Sequence, residues 1–336
     1  MGSRLRQFRV PAVAVALGAI VCTAALVSSA MGSAFPGANG KLVYAVHKGS
    51  KPGYLATAKP NGSGATRITK PGAKQQGDMQ PRYSADGTKI VFTRNPASLG
   101  YNKLQVWVAN ANGTAAHRVK VAGLPKGDFP SAPTFTPNGK AIVFEADNIN
   151  APAGIWKVAV GGGKASRLTS GNDYQPAVSP DGKKVAFMRA LTLVIARIDG
   201  SHPQVLYTEP SGTSSMDEPD FSPNGKTIAF MAFKSSTDVW DIWTVPADGS
   251  GSGTATNLTN GTTVSSLDPA YSPDGTKLAF TSADNTIYGP STTSIDVMPA
   301  SGGAATAVVT PASGEFVYEP DWGVRPHKHH HHKHKN

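Results

Sequence analysis

The chain has 336 residues, 39% of them hydrophobic and 16% charged, with 36 glycines, 26 prolines, one cysteine and a formal charge of +10. So apolar a composition excludes a disordered chain, and so much glycine and proline excludes helical bundles, which leaves many short strands joined by turns. The lone Cys22 excludes an internal disulfide framework and any multi-cysteine metal centre.

Residues 1–34 read as an export leader. Arg4, Arg6 and Arg9 precede an apolar stretch from Val10 to Val27, and small residues then offer cleavage after Ala30 or after Ala34. Eighteen apolar residues could nearly span a bilayer, but the small-residue sites favour cleavage, with no stable membrane insertion afterwards. The expected location is the cell envelope or outside it, secreted or periplasmic. Three leader arginines and three lysines in the last ten residues account for six of the ten excess positive charges. The body therefore carries only +4, with no basic stripe interleaved with aromatics, and nucleic acid is not an expected partner.

The body is a tandem repeat. After ANGKLVYAV (38–46) come QPRYSADGTKIVFTR (80–94), APTFTPNGKAIVFEA (132–146), QPAVSPDGKKVAFMR (175–189), EPDFSPNGKTIAFMA (218–232) and DPAYSPDGTKLAFTS (268–282). Gly87, Gly139, Gly182, Gly225 and Gly275 recur at intervals of 52, 43, 43 and 50 residues, a blade-sized period. Each copy reads as a hairpin, with Asp-Gly or Asn-Gly at the turn and an alternating strand after it. A third strand follows, as in LQVWVANANG, GIWKVAVGGG and DIWTVPADG, and then a short fourth. The final EFVYEPDWG (315–323) supplies a first strand with no second, and ANGKLVYAV a second with no first. The expected fold is all-β: a six-bladed propeller over residues 35–326, made of four-stranded antiparallel blades and closed by strands from both termini, with residues 327–336 as a disordered His/Lys-rich tail.

With its Pro-x-aromatic-Ser-Pro-[Asp/Asn]-Gly core and the Ile-Trp-x-Val strand, the repeat resembles the TolB-type β-propeller repeat. The resemblance covers residues 36–326 and implies fold more strongly than function, since propellers host lyases, peptidase gating domains, lactonases and binding platforms. In that family the TolB protein carries a further α/β domain ahead of its six blades, whereas here the repeats begin directly after the leader.

First strands line the centre of a propeller, so the residues flanking the repeat proline are the candidate ligand contacts. These are Gln80 and Arg82, Ala132 and Thr134, Gln175 and Ala177, Glu218 and Asp220, Asp268 and Ala270, and Glu319 and Asp321. Glu218, Asp220, Asp268, Glu319 and Asp321 fall on three adjacent blades with Arg82 opposite, an arrangement suited to a divalent cation or a basic protein segment at the channel mouth. The competing reading makes the same acids acceptors for loop amides. Turn Asp and Asn residues read as turn chemistry rather than ligands. Tyr83, Phe135, Phe221, Tyr271 and Trp322, with Val178, read as packing between blades, as do Trp107, Trp156 and Trp243. Trp240 lies outside that register and leaves carbohydrate stacking open.

No catalytic constellation emerges. A Gly-x-Ser-x-Gly elbow is missing, and His47, His117 and His202 fall on separate strands or turns. The expectation is a monomeric, non-enzymatic platform for a protein or peptide partner in the envelope, with no required cofactor. An extracellular lyase or hydrolase is one alternative. The other is a metal-binding envelope protein using His327, His329, His330, His331, His332 and His334 of the tail.

Overall fold

The computed structural model describes residues 34–73, 75–96, 103–148, 151–208, 213–251, 253–261, 263–284 and 292–326. Residues 1–33 of the expected leader (1–34) and the expected tail with its histidines (327–336) lie outside the described residues. Among the described residues every regular element is a strand.

The strands are β1 (Asn39–Lys48), β2 (Lys51–Ala58) and β3 (Thr66–Arg67); then β4 (Gly77–Tyr83), β5 (Lys89–Asn95), β6 (Gln105–Asn110) and β7 (His117–Arg118). After β8 (Val121–Ala122) come β9 (Phe129–Phe135), β10 (Ala141–Asn148), β11 (Ala151–Ala159), β12 (Gly163–Lys164) and β13 (Ser166–Arg167). Next are β14 (Asp173–Val178), β15 (Lys184–Arg189), β16 (Thr192–Arg197) and β17 (Gln204–Thr208), then β18 (Thr213–Phe221), β19 (Thr227–Lys234), β20 (Val239–Pro246) and β21 (Thr256–Asn257). The chain ends with β22 (Val264–Tyr271), β23 (Lys277–Asp284), β24 (Thr293–Pro299), β25 (Thr306–Val309) and β26 (Glu315–Val324).

Four-stranded antiparallel sheets form in the orders β9–β10–β11–β13, β14–β15–β16–β17, β18–β19–β20–β21 and β22–β23–β24–β25. A longer sheet runs β26–β1–β2–β4–β5–β6–β7, with β3 also on β2. Its two antiparallel halves are joined by one parallel bridge between Gly53 and Gly77. The C-terminal β26 lies antiparallel on the N-terminal β1, with Leu42 opposite Trp322 and Val46 opposite Val317. A small parallel pair, β8 with β12, links the outer parts of two neighbouring sheets.

The hairpin turns show how their residues divide the work. Only the glycine is left-handed, with φ of 67° at Gly87 and 65° at Gly139, while the preceding Asp or Asn keeps ordinary backbone. Asp86 Oδ1 instead accepts from the Ser84 hydroxyl at 2.6 Å and the Thr88 amide at 3.0 Å. Asn138 Oδ1 accepts from the Thr136 hydroxyl and the Lys140 amide in the same way, which is why Asn and Asp interchange.

The residue two places after each repeat proline packs on the preceding sheet. Tyr83 clusters with Val43, Ala45 and Leu55; Phe135 with Val91, Val106 and Val108; and Val178 with Val143 and Ile155. Phe221 meets Ala186, Met188 and Ile195, Tyr271 meets Ala229 and Ile242, and Trp322 meets Ala279, Ile295 and Val297. Burying one such side chain contributes about 1.5–3 kcal/mol, so each contact binds two sheets by an amount comparable to several hydrogen bonds. Trp240 belongs to the packing as well: it is buried, with its ring 5.5 Å from Phe233, which leaves no open face for a sugar.

Candidate functional site

The six residues just before the repeat prolines share one unusual conformation. Gln80, Ala132, Gln175, Glu218, Asp268 and Glu319 all have φ between 56° and 61°. A residue before proline is normally extended, and a left-handed non-glycine is costly. The cost is met by a β-bulge: pairing between first and second strands slips at Met79/Arg82, Tyr174/Ala177, Asp217/Asp220 and Leu267/Ala270. The bulge frees the amide of the left-handed residue from the ladder and aims it at the neighbouring sheet.

A relay of hydrogen bonds uses those amides. The Gln80 amide donates to Glu319 Oε2 at 2.5 Å, and the Ala132 amide to Gln80 Oε1 at 2.9 Å. The Glu218 amide donates to Gln175 Oε1 at 3.0 Å, and the Glu319 amide to Asp268 Oδ2 at 2.9 Å. Ala132 has no side-chain acceptor, and Glu145 of β10 takes its place, accepting the Gln175 amide at 2.8 Å and the Ser131 hydroxyl at 3.0 Å. Thr93 and Thr281 steady two acceptors, donating to Gln80 and Asp268 at 2.5 and 2.6 Å.

A second layer lies two residues further along. Asp321 Oδ2 accepts the Tyr83 amide and Asp220 Oδ2 the Tyr271 amide, both at 2.7 Å. Arg82 is buried, donates from Nη1 to the Pro81 carbonyl at 2.5 Å, and its charge acts on Asp321 and Asp220. Burial nevertheless raises the pKa of both carboxyls, with Asp220 well above the usual carboxylate range. Ala34 enters here: it is buried beside Ala229 and Tyr271, and its amide donates to the Phe221 carbonyl at 3.3 Å.

All six candidate residues are therefore buried: Glu218, Asp220, Asp268, Glu319, Asp321 and Arg82. Glu218, Asp268 and Glu319 form one acidic group and Asp220, Asp321 and Arg82 a mixed one. The Glu218 carboxyl is pushed well up by burial and then by the charges of Asp268, Glu319 and Asp217, with a hydrogen bond to Asp268 acting the same way. Its Oε2, like Asp220 Oδ1, has no hydrogen-bond partner among the described residues. The histidines do not converge: His117 bonds the Ala115 carbonyl, His202 the Ser201 hydroxyl, and burial lowers the pKa of His47 on β1. Among the described residues, no group of three or more His, Cys, Asp or Glu is disposed to hold a metal ion.

Glu145, Thr93 and Thr281 escaped the sequence reading. The signal was present: each is a polar residue directly after the phenylalanine of the second strand, where other copies carry Met188 or Met231.

No protein-family model matches the chain. The Tol-Pal system protein TolB of Francisella tularensis subsp. tularensis is 26% identical over 293 residues, covering 70% of this chain and 63% of the relative. A TolB homolog of Chlorobium luteolum is 31% identical over 156 residues, covering 43% of this chain and 32% of its own. The crystal structure of TolB from Acinetobacter baumannii superposes with a TM-score of 0.65 at 19% identity, covering 85% of this chain and 67% of that one. The chain is TolB-like. It spans less than two thirds of the length of these curated TolB relatives. An oligogalacturonate lyase in complex with manganese shares the TolB-like fold at a TM-score of 0.53 and 12% identity, a likeness of fold alone. Among the described residues, no helix is long and apolar enough to cross a membrane.

Proposed function

We propose that the chain is an exported, TolB-like six-bladed propeller whose ring is closed by β26 on β1, and that it serves in the cell envelope as a protein-binding platform rather than an enzyme. The relay of side chains to neighbouring amides supports a rigid scaffold, since each first strand is held by the next. Variable loops on such a scaffold carry recognition. The observation that carries the reading is Glu218: a buried carboxyl among Asp268, Glu319 and Asp217, with Oε2 unpartnered among the described residues. A lysine or arginine from a partner would pair with this acidic group and would be favoured by the low dielectric around it.

Cross-linking and affinity capture from intact cells with the full chain and with Glu218→Gln test this. Glutamine keeps the shape and removes the ability to ionise when a cationic partner arrives. A partner captured by the native chain and lost from the variant supports the acidic site. Equal capture by both, or none by either, overturns it.

A further inference from the structure

The turns that follow the first strands adjoin one another at one end of the molecule. A Cβ at Gly182 would touch Pro137 of the previous turn, one at Gly225 would touch Pro180, and one at Gly275 would touch Pro223. Asn39 Nδ2 donates to Asp274 Oδ2 at 2.7 Å and its Oδ1 accepts the Asp274 amide at 3.1 Å. Gly87 abuts the Val324 carbonyl. The turns from Asn138 through Asp274 to Asn39 and on to Gly87 thus make a belt.

Each member of the belt delivers lysine at the start of the strand that follows: Lys41, Lys89, Lys140, Lys183 with Lys184, Lys226 and Lys277, all exposed. Exposed Lys59 and Arg325 join them. At the junction of the terminal sheet with β4–β7 a groove of about 740 Å3 opens, with Lys41, Lys59, Arg67 and Arg325 in its lining and no carboxylate there. The acids at this end are Asp86, Asp181 and Asp274 in the hairpin turns, with Asp199 and Asp248 in the outer turns; each accepts a hydrogen bond from its own turn. The named cations outnumber them. Asp128, Asp238, Asp284 and Glu315 sit at the other strand ends.

The chemistry of the face selects its partner. Protein interfaces concentrate aromatic and apolar anchors and are poor in lysine. Here lysines are spread over every member of the belt, while of the exposed large hydrophobic residues Leu191 and Val264 lie at the other strand ends and Val205 stands alone on the outer strand β17. Dispersed, long, flexible cations suit an extended plane of negative charge, where each one near the surface adds attraction that salt screens. We propose that this lysine belt seats the protein on an anionic lipid bilayer, with the phosphate of a headgroup drawn to the Lys41–Lys59–Arg325 groove. The end bearing Asp128, Asp238 and Glu315 then faces away from the bilayer.

The test is co-sedimentation of the chain from Met31 onward, so that the apolar stretch Val10–Val27 is absent, at pH 8, above the ordinary histidine pKa, with phosphatidylglycerol-containing vesicles and with pure phosphatidylcholine vesicles. Binding is expected only to the former, and it should vanish near 0.5 M salt, where the screening length falls to about 4 Å. Combined Lys41→Gln, Lys89→Gln, Lys140→Gln, Lys226→Gln and Lys277→Gln should weaken it about tenfold or more. The same five changed to Arg should restore it, which separates charge from folding. Lys51→Gln, Lys103→Gln and Lys126→Gln at the other end should have little effect. Undiminished binding by the five-glutamine variant overturns the proposal. So does complete loss on changing only Lys328, Lys333 and Lys335 to Gln, or binding to soluble polyphosphate without binding to vesicles. Glu218→Gln should leave vesicle binding intact, so this proposal and the acidic-site reading fail separately.

Discussion

The Glu145 carboxylate accepts the Gln175 amide at 2.8 Å from the second strand of its sheet, filling the position that Ala132 on the first strand leaves without an acceptor. Glu145→Ala should therefore strand a buried amide and cost about 1–3 kcal/mol, whereas Glu145→Gln, which keeps the acceptor, should cost less than about 1 kcal/mol. Urea unfolding of the two variants checks this, and equal losses would show that the bond carries no weight.

Burial raises the Glu145 pKa to about 7 from an ordinary 4.5. The folded chain then binds more protons than the unfolded one between those values, so stability is fully present below about 4.5 and is lost as pH rises through 7. Glu218, Asp220 and Asp321 are shifted in the same direction. Calorimetry should give a higher melting temperature near pH 5 than at pH 7.5, with a smaller difference in Glu145→Gln. An unchanged difference would place the titration elsewhere.

The left-handed bulge positions tolerate some side chains and not others. Ala132 has φ of 57° and is fully buried. Ala132→Gly should stay within about 1 kcal/mol of the native chain, because relief of the left-handed penalty offsets the entropy of glycine. Ala132→Val, β-branched at positive φ in a full site, should cost about 2 kcal/mol or more. Thermal melts that rank valine at or above glycine would contradict the bulge.

Asp321 and Asp220 each hold a tyrosine amide of the adjoining sheet, and both feel the charge of Arg82. Asp321→Ala leaves the Tyr83 amide unpaired and takes a counter-charge from buried Arg82, an expected loss of about 3 kcal/mol or more. Asp321→Asn keeps an acceptor and should lose less. Chemical denaturation of both decides it.

At Gly77, φ is 138° and an added Cβ would lie 2.3 Å from the Gly53 amide nitrogen. Gly77→Ala must push apart the two halves that this bridge joins, and should cost about 2–4 kcal/mol. Faster hydrogen exchange at Gly53 is the accompanying local signature.

The proposed export leader should be processed after Ala30 rather than Ala34. Cleavage after Ala34 would delete a residue buried among Ala229, Tyr271 and Phe280, together with its bond to Phe221. N-terminal sequencing of the exported protein should begin at Met31; a start at Phe35 would refute this.

The strand order within each repeat, the hairpins and the packing aromatics were legible in the sequence because each rests on local chemistry repeated along the chain. Asp-Gly and Asn-Gly make turns wherever they stand between alternating strands, and the residue two after proline is aromatic or apolar in every copy. The candidate acids could be picked out, but not what they do. Whether Glu319 faces solvent or caps the Gln80 amide depends on a backbone turned left-handed before proline, against the local preference, and on a neighbouring sheet 239 residues away in sequence. Likewise, nothing local says that Glu145 stands in for Ala132, or that lysines from six distant turns share one face. Local sequence determined the elements of this protein. Only the tertiary structure decided which polar groups meet, because burial and the approach of neighbouring sheets set the partners that each carboxylate must find.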